Sequence, residues 1–117
     1  MTLREIIKTL RAKVVLGEVG DEVVVERARA SDLMSDVLSH RVRPGALLLT
    51  GLTTPQSVYT AEMADVAVVC YVRGKRPDAQ TRELAEQRGL VLLSTDLPMY
   101  ESCGRLYRQG LKGVSET

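Results

Sequence analysis

Ser31-Asp32-Leu33-Met34-Ser35-Asp36 is the stretch best equipped for chemistry, because two Ser-Asp pairs recur four residues apart around apolar positions. On a helix such positions share a face, so one side would carry two hydroxyls and the adjoining strip two carboxylates. That surface would contact a polar ligand or a partner. It would equally serve as a doubled N-terminal cap whose acids complement the helix dipole. The other polar groups gather behind three apolar runs, which lead into Thr50-Gly51-Leu52-Thr53-Thr54, Arg73-Gly74-Lys75-Arg76-Pro77-Asp78 and Ser94-Thr95-Asp96. Hydroxyls, two glycines and a basic cluster suit an anion or a phosphorylated metabolite. The same residue types are also ordinary helix caps and solvated loops. The candidate ligand-binding residues are Ser31, Asp32, Ser35, Asp36, Thr50, Thr53, Thr54, Arg73, Gly74, Ser94 and Thr95.

Nucleophilic catalysis asks for a nucleophile, a base and a group that orients the base. The one histidine, His40, follows a short helical segment, where an exposed or C-capping role fits it. Cys70 lies inside an apolar run and Cys103 on an apolar helical stripe, the settings of inert thiols. Two cysteines this far apart, with no C-x-x-C pair, supply neither a zinc cluster nor a disulfide framework. Gly51 fits neither of the common glycine-rich nucleotide fingerprints. The expectation is a chain without catalytic residues, metal or cofactor. A carboxylate site around Asp32 and Asp36 is the one catalytic alternative.

Three strands and their helices must position these groups. Ala46 to Thr50, Val66 to Val72 and Leu90 to Ser94 are nearly uniform apolar runs, as in parallel strands buried on both faces. Helices are expected between them. One begins at Thr54-Pro55 and turns Val58, Ala61 and Met63 or Ala64 inward; another begins near Asp78, with Leu84 and Ala85 inward and Gly89 as its stop. A third follows Asp96, with Pro98 in its first turn and Met99, Cys103, Leu106 and Tyr107 on one stripe. Gly104 lowers the stability of that helix and implies close approach by another element, within the fold or across a dimer contact.

Upstream, Thr2 and Glu5 have capping-box spacing ahead of an amphipathic helix over Leu3 to Arg11. Lys13 to Leu16 and Glu22 to Val25 read as two strands around a turn, and Ser31 or Asp32 caps a short helix through Leu38. The fold class is a single layered α/β domain with a mostly parallel sheet flanked by helices, over residues 1–111, with a polar C-terminal tail at residues 112–117. A chain of 117 residues, 44% hydrophobic and 26% charged, is an ordinary globular composition. A net charge of +1 with interspersed signs, no Trp or Phe and four tyrosines argue against nucleic acid. No apolar run reaches the roughly 20 residues of a membrane span, and a cytoplasmic setting is expected.

From Ser31 to Leu38, and in Leu92-Leu93-Ser94-Thr95 and Tyr100 to Tyr107, the sequence resembles the stand-alone DRTGG-domain proteins. The resemblance runs from the opening helix to Leu111, and departs where Glu26-Arg27-Ala28-Arg29 replaces a Gly-Gly pair. It implies a fold like the amino-terminal domain of HPr kinase/phosphatase. It also implies an accessory regulatory unit, with dimer contacts and no assigned catalytic residues. The combined expectation is a non-catalytic regulatory domain that homodimerises and binds a small anionic metabolite or nucleotide at the strand exits. The alternative is a pure interaction module with inert loops.

Overall fold

The computed structural model describes residues 1–20, 23–39 and 43–116. In chain order these form α1 (Leu3–Leu10), β1 (Lys13–Leu16), β2 (Arg27–Ala30), α2 (Met34–Ser39), β3 (Ala46–Thr50), α3 (Pro55–Met63), β4 (Val66–Tyr71), α4 (Ala79–Gln87), β5 (Val91–Ser94), α5 (Met99–Arg108) and β6 (Lys112–Gly113). A uniformly apolar strand has no side to offer to water, and all five residues of β3 are buried. The strands make one sheet in the order β1-β5-β4-β3-β2-β6. Every neighbouring pair is parallel except β1 with β5. The chain is thus a layered α/β domain with a mostly parallel sheet between helices, as expected.

Alternation along each strand splits the core in two. Leu47, Leu49, Val68 and Cys70 face α1 and α5, where Leu3, Ile6, Leu10 and Leu106 meet them. Leu48, Val69 and Tyr71 face α2, α3 and α4, where Met34, Val37, Val58, Ala61 and Ala85 meet them. The chain steps from β2 through β3 and β4 to β5 in one direction, with its three helices on one face. It then returns from β5 to β6 by way of α5. A right-handed crossover running backwards places its helix on the opposite face, which is where α5 lies.

Local chemistry fixes the helix ends. Thr2 Oγ1 accepts from the Glu5 amide at 3.2 Å and Glu5 Oε1 accepts from the Thr2 amide at 3.1 Å, so the capping box forms. Pro55 follows the Thr54 cap, and Asp78 accepts from the Thr81 amide at 2.7 Å to open α4.

The front of the chain departs from the sequence reading. The strand expected at Glu22 to Val25 is absent among the described residues: Val24 makes one isolated bridge to Thr2, and the Val25 amide donates to Met1 O at 2.8 Å. The place beside β3 is taken instead by Arg27–Ala30, whose Ala28 and Ala30 stand opposite Leu47 and Leu49. No hairpin forms, because β1 pairs with β5 at the far edge. Asp21, Glu22 and His40, with the turn and cap expected there, lie outside the described residues.

On α3 the inward residues are Val58, Ala61 and Ala64, one of the two endings expected, with Met63 exposed; on α5 the stripe is rotated, the buried pair being Ser102 and Leu106 while Tyr107 faces outward. The Ser102 hydroxyl donates to Pro98 O at 2.9 Å, which lets it occupy a core position; Pro98 is the cap, one residue before the helix. The segment expected as a polar tail starts with β6 and buries Val114.

Leu47, fully buried in a central strand, is expected to cost about 3 kcal/mol when changed to alanine. Denaturant unfolding checks this, and a loss within the scatter of surface substitutions contradicts the packing described. Burial pushes the Cys70 thiol up to about 12. A thiol reagent at neutral pH should therefore label half-buried Cys103 in the folded protein and reach Cys70 only after unfolding.

Candidate functional site

The exits of β2, β3, β4 and β5 meet at one rim because the four strands are parallel. Asp32, just past β2, ties three of them together. Its Oδ1 accepts from the Gly51 amide at 2.5 Å and from Thr50 Oγ1 at 3.4 Å, and its Oδ2 accepts from Arg73 Nη2 at 3.2 Å. The Gly51 amide bond, above all, holds the Asp32 carboxyl below its ordinary range, with Arg73 and Thr50 helping against partial desolvation. Ionised and engaged on both oxygens, Asp32 is a weak base at neutral pH.

Gly51 makes this convergence sterically possible. A Cβ there would fall on Arg73 Nη2 and come within 3.2 Å of Asp32 Oδ1. The guanidinium crosses the rim over bare backbone.

Arg73 itself stands in a constrained turn. Lys75 N donates to Val72 O at 3.1 Å, and the two central residues have φ of 59° at Arg73 and 70° at Gly74. Two successive left-handed residues are costly unless glycine supplies one, and the arginine bears about 1 kcal/mol of strain. The loop after β5 clamps it: the Arg73 amide donates to Leu97 O at 2.9 Å and the Gly74 amide to Thr95 O at 2.8 Å.

The candidate residues fall into three groups. Asp32, Thr50, Arg73, Gly74, Ser94 and Thr95 belong to one bonded network. Within it the hydroxyls point inward: Ser94 Oγ donates to Lys75 O at 2.8 Å, and Thr95 Oγ1 donates to Leu10 O at 2.6 Å while accepting from Leu97 N at 3.2 Å. Thr53 and Thr54 lie on the loop after β3, where the exposed Thr54 caps α3 without using its hydroxyl. Ser31, Ser35 and Asp36 stand apart from the network. Helix α2 opens at Met34, so Ser31 and Asp32 precede it and no single helical face carries both Ser-Asp pairs. Ser31 Oγ accepts from Leu33 N at 3.0 Å, while Ser35 and Asp36 sit exposed on the helix.

Sequence reasoning missed Gly51 as a site residue, although a glycine immediately after a buried strand marks a close backbone approach. It also missed a groove of about 720 Å³ between α1 and α5, lined by Lys8, Arg11, Arg105 and Arg108 with Glu5. Its bases come in pairs from distant segments, so no basic run announces it. Among the described residues no three potential metal ligands cluster, and no helix is long and apolar enough to cross a membrane.

No protein-family model and no curated protein matches the chain. Among solved structures, the fold is similar to the crystal structure of the CBS and DRTGG domains of the regulatory region of Clostridium perfringens pyrophosphatase, complexed with its activator diadenosine tetraphosphate. The TM-score is 0.71 at 14% identity, over 90% of this chain and 45% of that one. The chain spans less than half the length of this neighbour, and the likeness is one of fold.

The lowered Asp32 pKa has a pH signature. A carboxyl whose pKa is lower folded than unfolded adds stability above its ordinary value, 3.8, and that contribution fades as pH falls through the folded value. Asp32→Asn keeps an acceptor for the Gly51 amide but loses the ion pair, for an expected cost of about 1 kcal/mol at neutral pH, discounted for exposure. In denaturant titrations the gap between variant and wild type should close below that pH; a gap that stays constant contradicts the assignment.

Proposed function

We propose that this chain is a DRTGG-like regulatory domain, non-catalytic, which works as a cytoplasmic homodimer and binds a nucleotide or other small phosphorylated anion at the rim. The observation that carries the reading is the Asp32–Gly51–Arg73 junction. One carboxylate sets three loops in a single arrangement, and the side chain of Arg73 above them remains 41% exposed. Only one nitrogen of the guanidinium bonds Asp32, so the rest of its planar fork is available to a phosphate. Lys75 and Arg76 are exposed in the same loop, and the unused Thr54 hydroxyl stands at the N-terminus of α3. Shape is held before the ligand arrives, which lowers the ordering cost of binding. The regulatory region with the similar fold, solved with a dinucleoside polyphosphate, supports the same class of ligand.

A second reading, an interaction module whose loops take no ligand, draws on the exposed tyrosines of α5. Thermal unfolding with a panel of adenine and guanine nucleotides, diadenosine tetraphosphate and inorganic phosphate separates the two. A true ligand at a hundred times its dissociation constant stabilises the fold by about 2.7 kcal/mol, or about 10 °C for a domain of this size. Arg73→Ala and Gly51→Ala should abolish the response with the fold intact, and Lys8→Ala in the α1–α5 groove should leave it unchanged. A panel that produces no shift overturns ligand binding in favour of the interaction module. Loss of the response in Lys8→Ala alone moves the ligand away from the rim.

A further inference from the structure

Gly104 sits in the middle of α5 with nothing within 4 Å of the place where its Cβ would stand. No contact inside the fold requires a glycine there, and φ is not in the left-handed region. A mid-helix glycine still lowers helix stability relative to alanine. At 100° per residue, Gly104 lies nearly opposite the buried pair Ser102 and Leu106, at the centre of the outward face. Tyr100 and Tyr107, 88% and 62% exposed, flank it with Glu101 and Arg108. Together these side chains wall a shallow concavity with glycine backbone as its floor.

We propose that this face of α5 is where two copies of the chain meet, their α5 helices crossing antiparallel about a two-fold axis at paired Gly104 residues. The charges choose this occupant and this orientation. Glu101 lies in the first turn, and Arg105 and Arg108 in the last. In an antiparallel pair centred on residue 104, Glu101 and Arg108, on one edge of the face, come within one residue of level with each other, and Tyr100 and Tyr107 meet in the same way on the other edge. The face is thus complementary to itself, as an isologous contact must be. A parallel pair would separate Glu101 from Arg108 and bring like charges to the same level of the contact. Neither Glu101 nor Arg108 has an ion-pair partner among the described residues. The glycine lets the two backbones approach closely enough for these groups to touch.

This inference rests on the homodimer reading above, and the experiment separates the two. Sedimentation equilibrium of the full chain should give a dimer. Gly104→Leu, whose Cβ meets no neighbour in the single chain, should leave circular dichroism unchanged and raise the dimer dissociation constant about tenfold or more. Glu101→Arg and Arg108→Glu should each do the same, and the double reversal should restore the wild-type constant. A wild type that stays monomeric at every accessible concentration overturns both the homodimer and this surface. A wild-type dimer indifferent to Gly104→Leu and to the single reversals overturns the surface alone. A double reversal that fails to recover overturns the antiparallel pairing.

Discussion

Strand direction is the constraint from which the rest of this molecule follows. Strands β3, β4 and β5 are too apolar to leave either face in water, so helices must cover both sides, and each crossover returns the chain to begin the next strand at the same end. Their exits are thereby delivered to one rim. The first helix is drawn to the same place, because the Leu10 carbonyl receives the Thr95 hydroxyl at 2.6 Å. One end of the sheet thus carries the polar loops and the other the returns. A single carboxylate can join three loops only because the parallel sheet has already brought them within reach.

The central layer was legible because its signal is redundant. A run such as Ala46 to Thr50 has one energetically acceptable setting, and Thr54-Pro55 and Asp78 mark helix starts by groups that bond locally. The front of the chain was not. Val23 to Val25 has the β-branched character of a strand, yet Arg27–Ala30 takes the place beside β3. Ala28 and Ala30 stand opposite Leu47 and Leu49 in that pairing, and nothing in the local propensity of an Arg-Ala repeat reveals it. The misplaced stripe residues have a similar origin. Ser102 enters the core because a carbonyl four residues back satisfies its hydroxyl, which hydrophobicity alone does not register.

At the rim, composition located the neighbourhood but not the orientation of its groups. Thr50, Ser94 and Thr95 do lie where the strands end, yet each is buried with its hydroxyl already bonded within the fold, to Asp32 Oδ1, Lys75 O and Leu10 O respectively. Such residues are frame, and the surface is left to Arg73 and its neighbours. Asp32 was legible as a reactive residue type, whereas its tie to Gly51 was not, because that bond spans 19 residues and depends on two strands lying side by side. Arg73 illustrates the same point through its backbone. A positive φ at an arginine is stable only where other loops clamp it, and both clamps come from the segment after β5.

The two margins of the sheet differ from its middle. One ends in β6, two residues long; the other in β1, which runs against its neighbour and slips register between Val14 and Leu16. Short or irregular borders make poor templates for a further strand, so growth by edge-to-edge polymerisation is blunted on both sides.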